Sequence, residues 1–162
     1  MAISWTPDLD TGIDIIDLQH RRIVDFINDL EVAHGSKDPE KIKRLVDDCV
    51  DYTLSHFAFE ESLQEDAAYQ YCKAHKKTHE LFSRRIFEYQ ERLAQGDDVA
   101  EELHGLLSRW LINHIKTDDA HYVSVVKASL GLTEIEPEPI AVSPPTSEAL
   151  QQPGWVQKWF KK

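Results

Sequence analysis

The sequence predicts an all-α protein: an antiparallel up-down-up-down four-helix bundle with an irregular N-terminal arm and a flexible C-terminal tail. Three observations predict it. Apolar residues recur every three or four positions along four stretches of the chain. Short polar breaks that carry helix-capping residues separate those stretches, and short connections favour antiparallel neighbours. The composition, 41% hydrophobic and 29% charged with only 6 glycines in 162 residues, fits a helix-rich globular chain rather than a fibrous or disordered one.

Residues 1 to about 16 contain Pro7 and Gly12 and lack helical periodicity, so they read as an arm whose Trp5, Ile13 and Ile15 pack across the bundle. The first helix runs from about Asp17, as N-cap, to Ala33, with Ile16, His20, Ile23, Ile27 and Leu30 on one face. A break at residues 35–38 places Asp38 as the cap and Pro39 at the first helical position of the second helix. Its stripe is Ile42, Leu45, Cys49, Tyr52, His56, Phe59, Glu60 and Leu63. After a polar break near Asp66 the third stripe holds Cys72, His75, His79, Phe82, Ile86, Tyr89 and Leu93, and Gly96 ends it. The fourth starts near Asp97 or Asp98 and carries Leu103, Leu107, Trp110, His114, Asp118, His121 and Val125, running to Leu130 before Gly131.

The expected organisation is therefore a bundle over residues 1–131, a Pro-rich linker over 132–153 and an aromatic, basic tail peptide over 154–162. The linker sequence EIEPEPIAVSPPTSEALQQP holds five prolines and no periodic apolar face. The tail, GWVQKWFKK, joins Trp155, Trp159 and Phe160 to three lysines and no acid, which suits docking on a protein partner or an anionic membrane surface. Folding back onto the acidic bundle is the alternative.

Charge and composition narrow the function classes. Acids outnumber bases 29 to 18, a net charge of -11 that argues against nucleic acid as a partner. The N-terminus lacks the pattern of a secretory signal, and no apolar run approaches the roughly 20 residues that span a bilayer, so a cytoplasmic protein without a transmembrane segment is expected. Cys49 and Cys72 read as buried structural thiols.

Five histidines break the apolar stripes at positions where Leu or Ile would pack better: His20, His56, His75, His79 and His114, drawn from all four helices. His56 and Glu60 lie one turn apart on one face, as do His75 and His79. A single such histidine is as readily a hydrogen-bonded core residue as a ligand. All five, with acids beside them, point to a metal, because each unsatisfied buried polar group costs about 1–3 kcal/mol. His34, His104 and His121 fall off the stripes or near a helix end and are given no role. Imidazoles with bridging carboxylates and no thiolate favour iron, and an oxo or hydroxo bridge would leave about one position open on a pair of six-coordinate ions. A small neutral ligand such as O2 fits an open position in an apolar core. Phe59, Leu63, Trp110 and Ile115 are candidates for the wall of that pocket, and ordinary core packing explains them equally well.

GIDIIDLQH, HFAFEE, the HKKTH of His75 to His79 and WLINHIKTDD, within residues 3 to 126, resemble the hemerythrins, specifically their bacterial members. The resemblance implies a non-haem di-iron centre in a non-enzymatic, O2-binding protein. His75, His79 and His114 would bind one iron and His20 and His56 the other, with Glu60, Asp119 and an oxo or hydroxo group bridging. O2, with nitric oxide as an alternative ligand, would take the open position beside His20 and His56. An oxidase, a peroxidase, a nitric-oxide-handling enzyme or an O2 or iron sensor on the same ligands stay open as alternatives. On an ideal helix Asp118, not Asp119, shares the face of His114, so the implied ligand requires a local widening of the fourth helix near residues 115–117. The segment Tyr69-Gln70 departs from the Tyr-Pro usual in that family.

Overall fold

The computed structural model describes residues 2–132; the predicted linker, from residue 133, and the predicted tail lie outside the described residues. Five α-helices and one wide turn make up most of the described chain: α1 (Asp14–Ser36), α2 (Pro39–Asp66), α3 (Cys72–Ala94), α4 (Ala100–His114), a π-helical turn (Ile115–Asp119) and α5 (Ala120–Ser129). α4, the turn and α5 together form the fourth helix of the bundle. α1 packs on α2 and α4, and α2 on α3, the neighbour relations of an up-down-up-down bundle. α3 meets α4 through rings, with Phe82 stacked on Trp110 at 3.6 Å between centroids.

The arm is less irregular than its sequence suggests. Pro7–Leu9 form one turn of 3-10 helix, and Ile3 is tied to α1 by its backbone N–H donating to Asn28 Oδ1 at 2.8 Å, while Asn28 Nδ2 donates back to the Ile3 carbonyl at 3.0 Å. Trp5 is half-buried and Ile13 buried, but Ile15 is exposed, one position off the inward face. α1 starts at Asp14, three residues before the expected cap. Asp17 is spent differently: its carboxylate accepts from the Thr11 N–H and hydroxyl, both at 2.7 Å, and from the Gly12 N–H at 3.0 Å, locking the preceding loop onto the helix. Gly12 sits at φ +73°, a conformation that other residues rarely adopt.

α2 opens as expected, Asp38 Oδ1 accepting from the Lys41 N–H at 3.1 Å with Pro39 at the first position, a cap worth about 1 kcal/mol. α4 begins later than expected, at Ala100. Asp97 closes α3 instead, its N–H bonding the Arg92 carbonyl at 3.0 Å and its carboxylate accepting from Arg92 Nε at 3.3 Å.

Two apolar clusters form the core. One is built around Ile23, Ile27, Val46, Val50, Phe57, Phe82, Ile86, Leu103 and Leu107; the other holds Ile13, Ile16, Tyr69, Cys72, Tyr122 and Val126. Each buried Leu or Ile contributes about 1.5–3 kcal/mol, so both ends of the bundle are closed by ordinary hydrophobic burial. Between them, every helix passes through one polar layer: Ile16 is followed by His20 and then Ile23, Phe57 by Glu60, Cys72 by His75, His79 and then Phe82, and Leu111 by His114 and Asp119.

Candidate metal centre

That layer holds all seven residues singled out as ligands: His20, His56, Glu60, His75, His79, His114 and Asp119 are each at most 5% exposed. α1 supplies His20, α2 His56 and Glu60, α3 His75 and His79, α4 His114, and the wide turn Asp119. The π turn determines which of the two acids faces inward. Five residues beyond His114, Asp119 is fully buried, while Asp118 has a 40% exposed side chain and bonds the outer edge of the His114 ring.

The carboxylates divide their oxygens in the same sense. Glu60 Oε1 lies 2.6 Å from His75 Nε2 and 3.8 Å from His79 Nε2, and its Oε2 lies 3.2 Å from His56 Nε2. Asp119 Oδ1 lies 3.1 Å from His114 Nε2 and 3.5 Å from His75 Nε2, and its Oδ2 lies 3.4 Å from His20 Nε2. Two groups with room for a cation result, Glu60 with His75, His79 and His114, and Glu60 with His20 and His56. Glu60 belongs to both.

Three imidazoles are oriented from behind. The Nδ1–H of His56 donates to Gln19 Oε1 at 2.8 Å, that of His79 to Glu61 Oε1 at 2.9 Å and that of His114 to Asp118 Oδ2 at 2.9 Å. Fixing the proton on Nδ1 turns the Nε2 lone pair toward the centre, the arrangement that metal-binding histidines require. Phe57 stacks on the His79 ring at 3.8 Å and Trp110 on the His114 ring at 4.2 Å, which limits their rotation.

The donor chemistry fits metal ions. His20 Nε2, His56 Nε2, His75 Nε2, Glu60 Oε2 and both Asp119 oxygens are buried without a hydrogen-bond partner among the described residues. With their protons on Nδ1, His79 and His114 bring two Nε2 lone pairs to 3.0 Å, a repulsive contact that a shared cation turns into an attractive one. In the metal-free protein, burial pushes His20 down to about 3 and His79 down to about 2, so both are neutral at pH 7. Burial and the neighbouring Glu60 charge raise Asp119 to about 6. Burial also opposes ionisation of Glu60, but the His56 and His75 imidazoles that face it outweigh burial and hold its carboxyl well below the usual range.

The expected pocket wall needs correction at one position. Ile115 is buried and Trp110 half-buried against His114, and Leu63 packs partly buried on the Ile13–Tyr122 cluster. Phe59 is 37% exposed and faces away from the core; Phe57 takes the inward place. On α2 the buried face runs through Val46, Val50, Thr53, Phe57, Glu60 and Gln64, turned from the stripe that Leu45, Tyr52 and Phe59 suggested. Gln64 was not singled out although it lies one turn past Glu60, and its Nε2 donates to Glu60 Oε1 at 2.9 Å. Tyr122, fully buried with its ring 5.5 Å from that of His75, was missed as well. Cys49 and Cys72 are free and buried. None of the described helices is long and apolar enough to cross a membrane.

Comparison with known proteins agrees with this geometry. The profile described as the hemerythrin HHE cation binding domain matches residues 11–126. The chain is 57% identical over 126 residues to a bacteriohemerythrin of Pseudomonas aeruginosa, covering 78% of this chain and 82% of that one. It is 51% identical over 126 residues to a bacteriohemerythrin of Stenotrophomonas maltophilia, with the same coverage. A crystal structure of wild-type hemerythrin superimposes with a TM-score of 0.74 at 26% identity, covering 78% of this chain and 98% of the other. The chain belongs to the hemerythrin family, among its bacterial members.

Proposed function

We propose that the polar layer holds two irons and that the protein binds O2 reversibly, as a carrier, store or local supplier rather than as an enzyme. The observation that carries this reading is the division of the two carboxylates, each offering one oxygen to the three-imidazole group and the other to the two-imidazole group. When bound, a pair of irons supplies electrons that a ligand such as O2 draws on and returns.

The residues assign themselves accordingly. His75, His79 and His114, with Glu60 and Asp119, would hold one ion; His20 and His56, with the same two carboxylates, would hold the other. The second receives one protein donor fewer, and the small ligand belongs on that side. Ile16, Ile23, Phe57 and Ile115, all buried, close the layer against bulk water. Excluding water and protons favours departure of the ligand as O2 over its capture as a reduced product. Two carboxylates among seven donors leave the centre poorer in anionic ligands than the Glu-x-x-His sites of di-iron oxidation chemistry, which favours binding over turnover.

The test is optical. Iron-loaded, anaerobically reduced protein should gain a visible band in air and lose it under vacuum through repeated cycles. Irons that oxidise once and stay oxidised, or an oxygenated form that turns over a substrate, would move the protein to the enzyme class.

A further inference from the structure

Three tyrosines run in line from the centre to the surface. The Tyr122 ring stands edge-on to His75 at 5.5 Å, Tyr69 meets Tyr122 at 6.3 Å, and Tyr71 meets Tyr69 at 5.8 Å. Exposure rises outward along the series, 0% at Tyr122, 9% at Tyr69 and 59% at Tyr71. Tyr69 and Tyr71 line an open cleft of about 690 Å³ between the α2–α3 connection and α5, and His75 forms part of its floor.

Core packing alone accounts poorly for the series. A fully buried phenol normally pairs its hydroxyl in good geometry, yet Tyr122 Oη only faces the Glu60 carboxylate and makes no well-aligned hydrogen bond among the described residues, so packing gains little there from a phenol over phenylalanine. What a phenol offers beyond phenylalanine is easy one-electron oxidation. The contrast within this structure is Trp110, which stacks on His114 from another side but leads to Phe82 and Phe57, rings too hard to oxidise to carry a hole onward.

We propose that Tyr122, Tyr69 and Tyr71 form a one-electron route between the metal centre and the surface cleft, leading oxidising equivalents from hydrogen peroxide out to Tyr71. The proposal rests on the centre being the redox-active iron site described above. In each event one electron moves inward along Tyr71, Tyr69 and Tyr122, and the phenol proton of Tyr71 is released to water. Tyr122 and Tyr69 end as they began, and each event leaves one neutral phenoxyl on Tyr71. Converting one hydrogen peroxide to two waters takes two such events, with two protons taken up from solvent, Tyr71 regaining its phenol between them. A one-electron reductant entering the cleft restores it; without one, Tyr71 radicals of two molecules couple through a ring carbon–carbon bond, and their ring hydrogens move to the phenol oxygens. The route thus spares the ligands from oxidation.

The experiment uses the full chain loaded with iron, its metal content and reversible optical band checked first, then treated with hydrogen peroxide without reductant. The expected result is a tyrosyl signal by electron paramagnetic resonance, followed by a fluorescent, covalently linked dimer joined at Tyr71. Tyr71→Phe should lose the dimer, and Tyr122→Phe should lose both dimer and surface radical while retaining iron and the optical band. Equal radical and dimer yields in Tyr122→Phe, or no radical in the iron-loaded wild-type protein, would overturn the route and leave the O2-binding reading intact. A chain that takes up no iron would overturn both.

Discussion

At the scale of single residues, the arrangement turns on Glu60 and Asp119, two fully buried acids whose oxygens face different imidazoles. An acid buried without partners is expensive, and removing one member of a buried charged set is worse than removing the set. Glu60→Gln keeps the volume but removes the anion common to both groups of donors, so iron per chain after desalting should fall by at least half relative to wild type. Asp118→Ala leaves the seven donors in place and frees only the back of the His114 ring. It should keep both irons while weakening metal affinity by about 10–100-fold. If instead Asp118→Ala loses the irons and Asp119→Ala keeps them, the assignment of the acid is wrong.

At the scale of elements, the decisive piece is the five-residue π turn between α4 and α5. On a regular helix, residue 119 would point about 140° away from His114, and Tyr122 would rotate with it. Inserting one alanine after Lys116 turns all that follows by about a further 100° and should abolish iron binding with little loss of helix content by circular dichroism. Retention of full iron in that variant would contradict the role given to the turn. This element also marks where the sequence stopped being legible. The four helices, the Asp38 cap and the five histidines could be read from spacing, because burial of one face imposes its period on the chain. Asp119 could not be reached by spacing, since ideal geometry selects Asp118; the family resemblance selected Asp119 and required the widening found at Ile115–Asp119. Phe59 was misread because an aromatic beside Glu60 satisfies the period as well as Phe57 does, and only packing tells them apart. Gln19 and Glu61 support imidazoles on other helices, a relation that no pattern within one helix records.

At the scale of the whole molecule, a polar layer lies between two apolar clusters, so fold stability and metal loading are linked. In the metal-free protein, His20 is lowered to about 3 and would titrate near 6.5 when unfolded. A lowered base leaves the folded state with fewer protons than the unfolded state over that window. Its contribution is therefore fully present above pH 6.5 and is lost as pH falls toward 3. His79 acts in the same sense, whereas Asp119, raised to about 6, opposes it between its ordinary value and 6. Replacing His20 by Leu should remove one proton from the pH slope of stability between 3 and 6.5, about 1.4 kcal/mol per pH unit, measurable by urea unfolding of the metal-free proteins. An unchanged slope would place that histidine outside the buried layer. The most direct measurement of the central claim is an anaerobic titration of metal-free protein with ferrous iron, reading bound metal after desalting. The two groups of donors that share Glu60 predict saturation at two irons per chain, whereas saturation at one, or no binding, would contradict the paired centre.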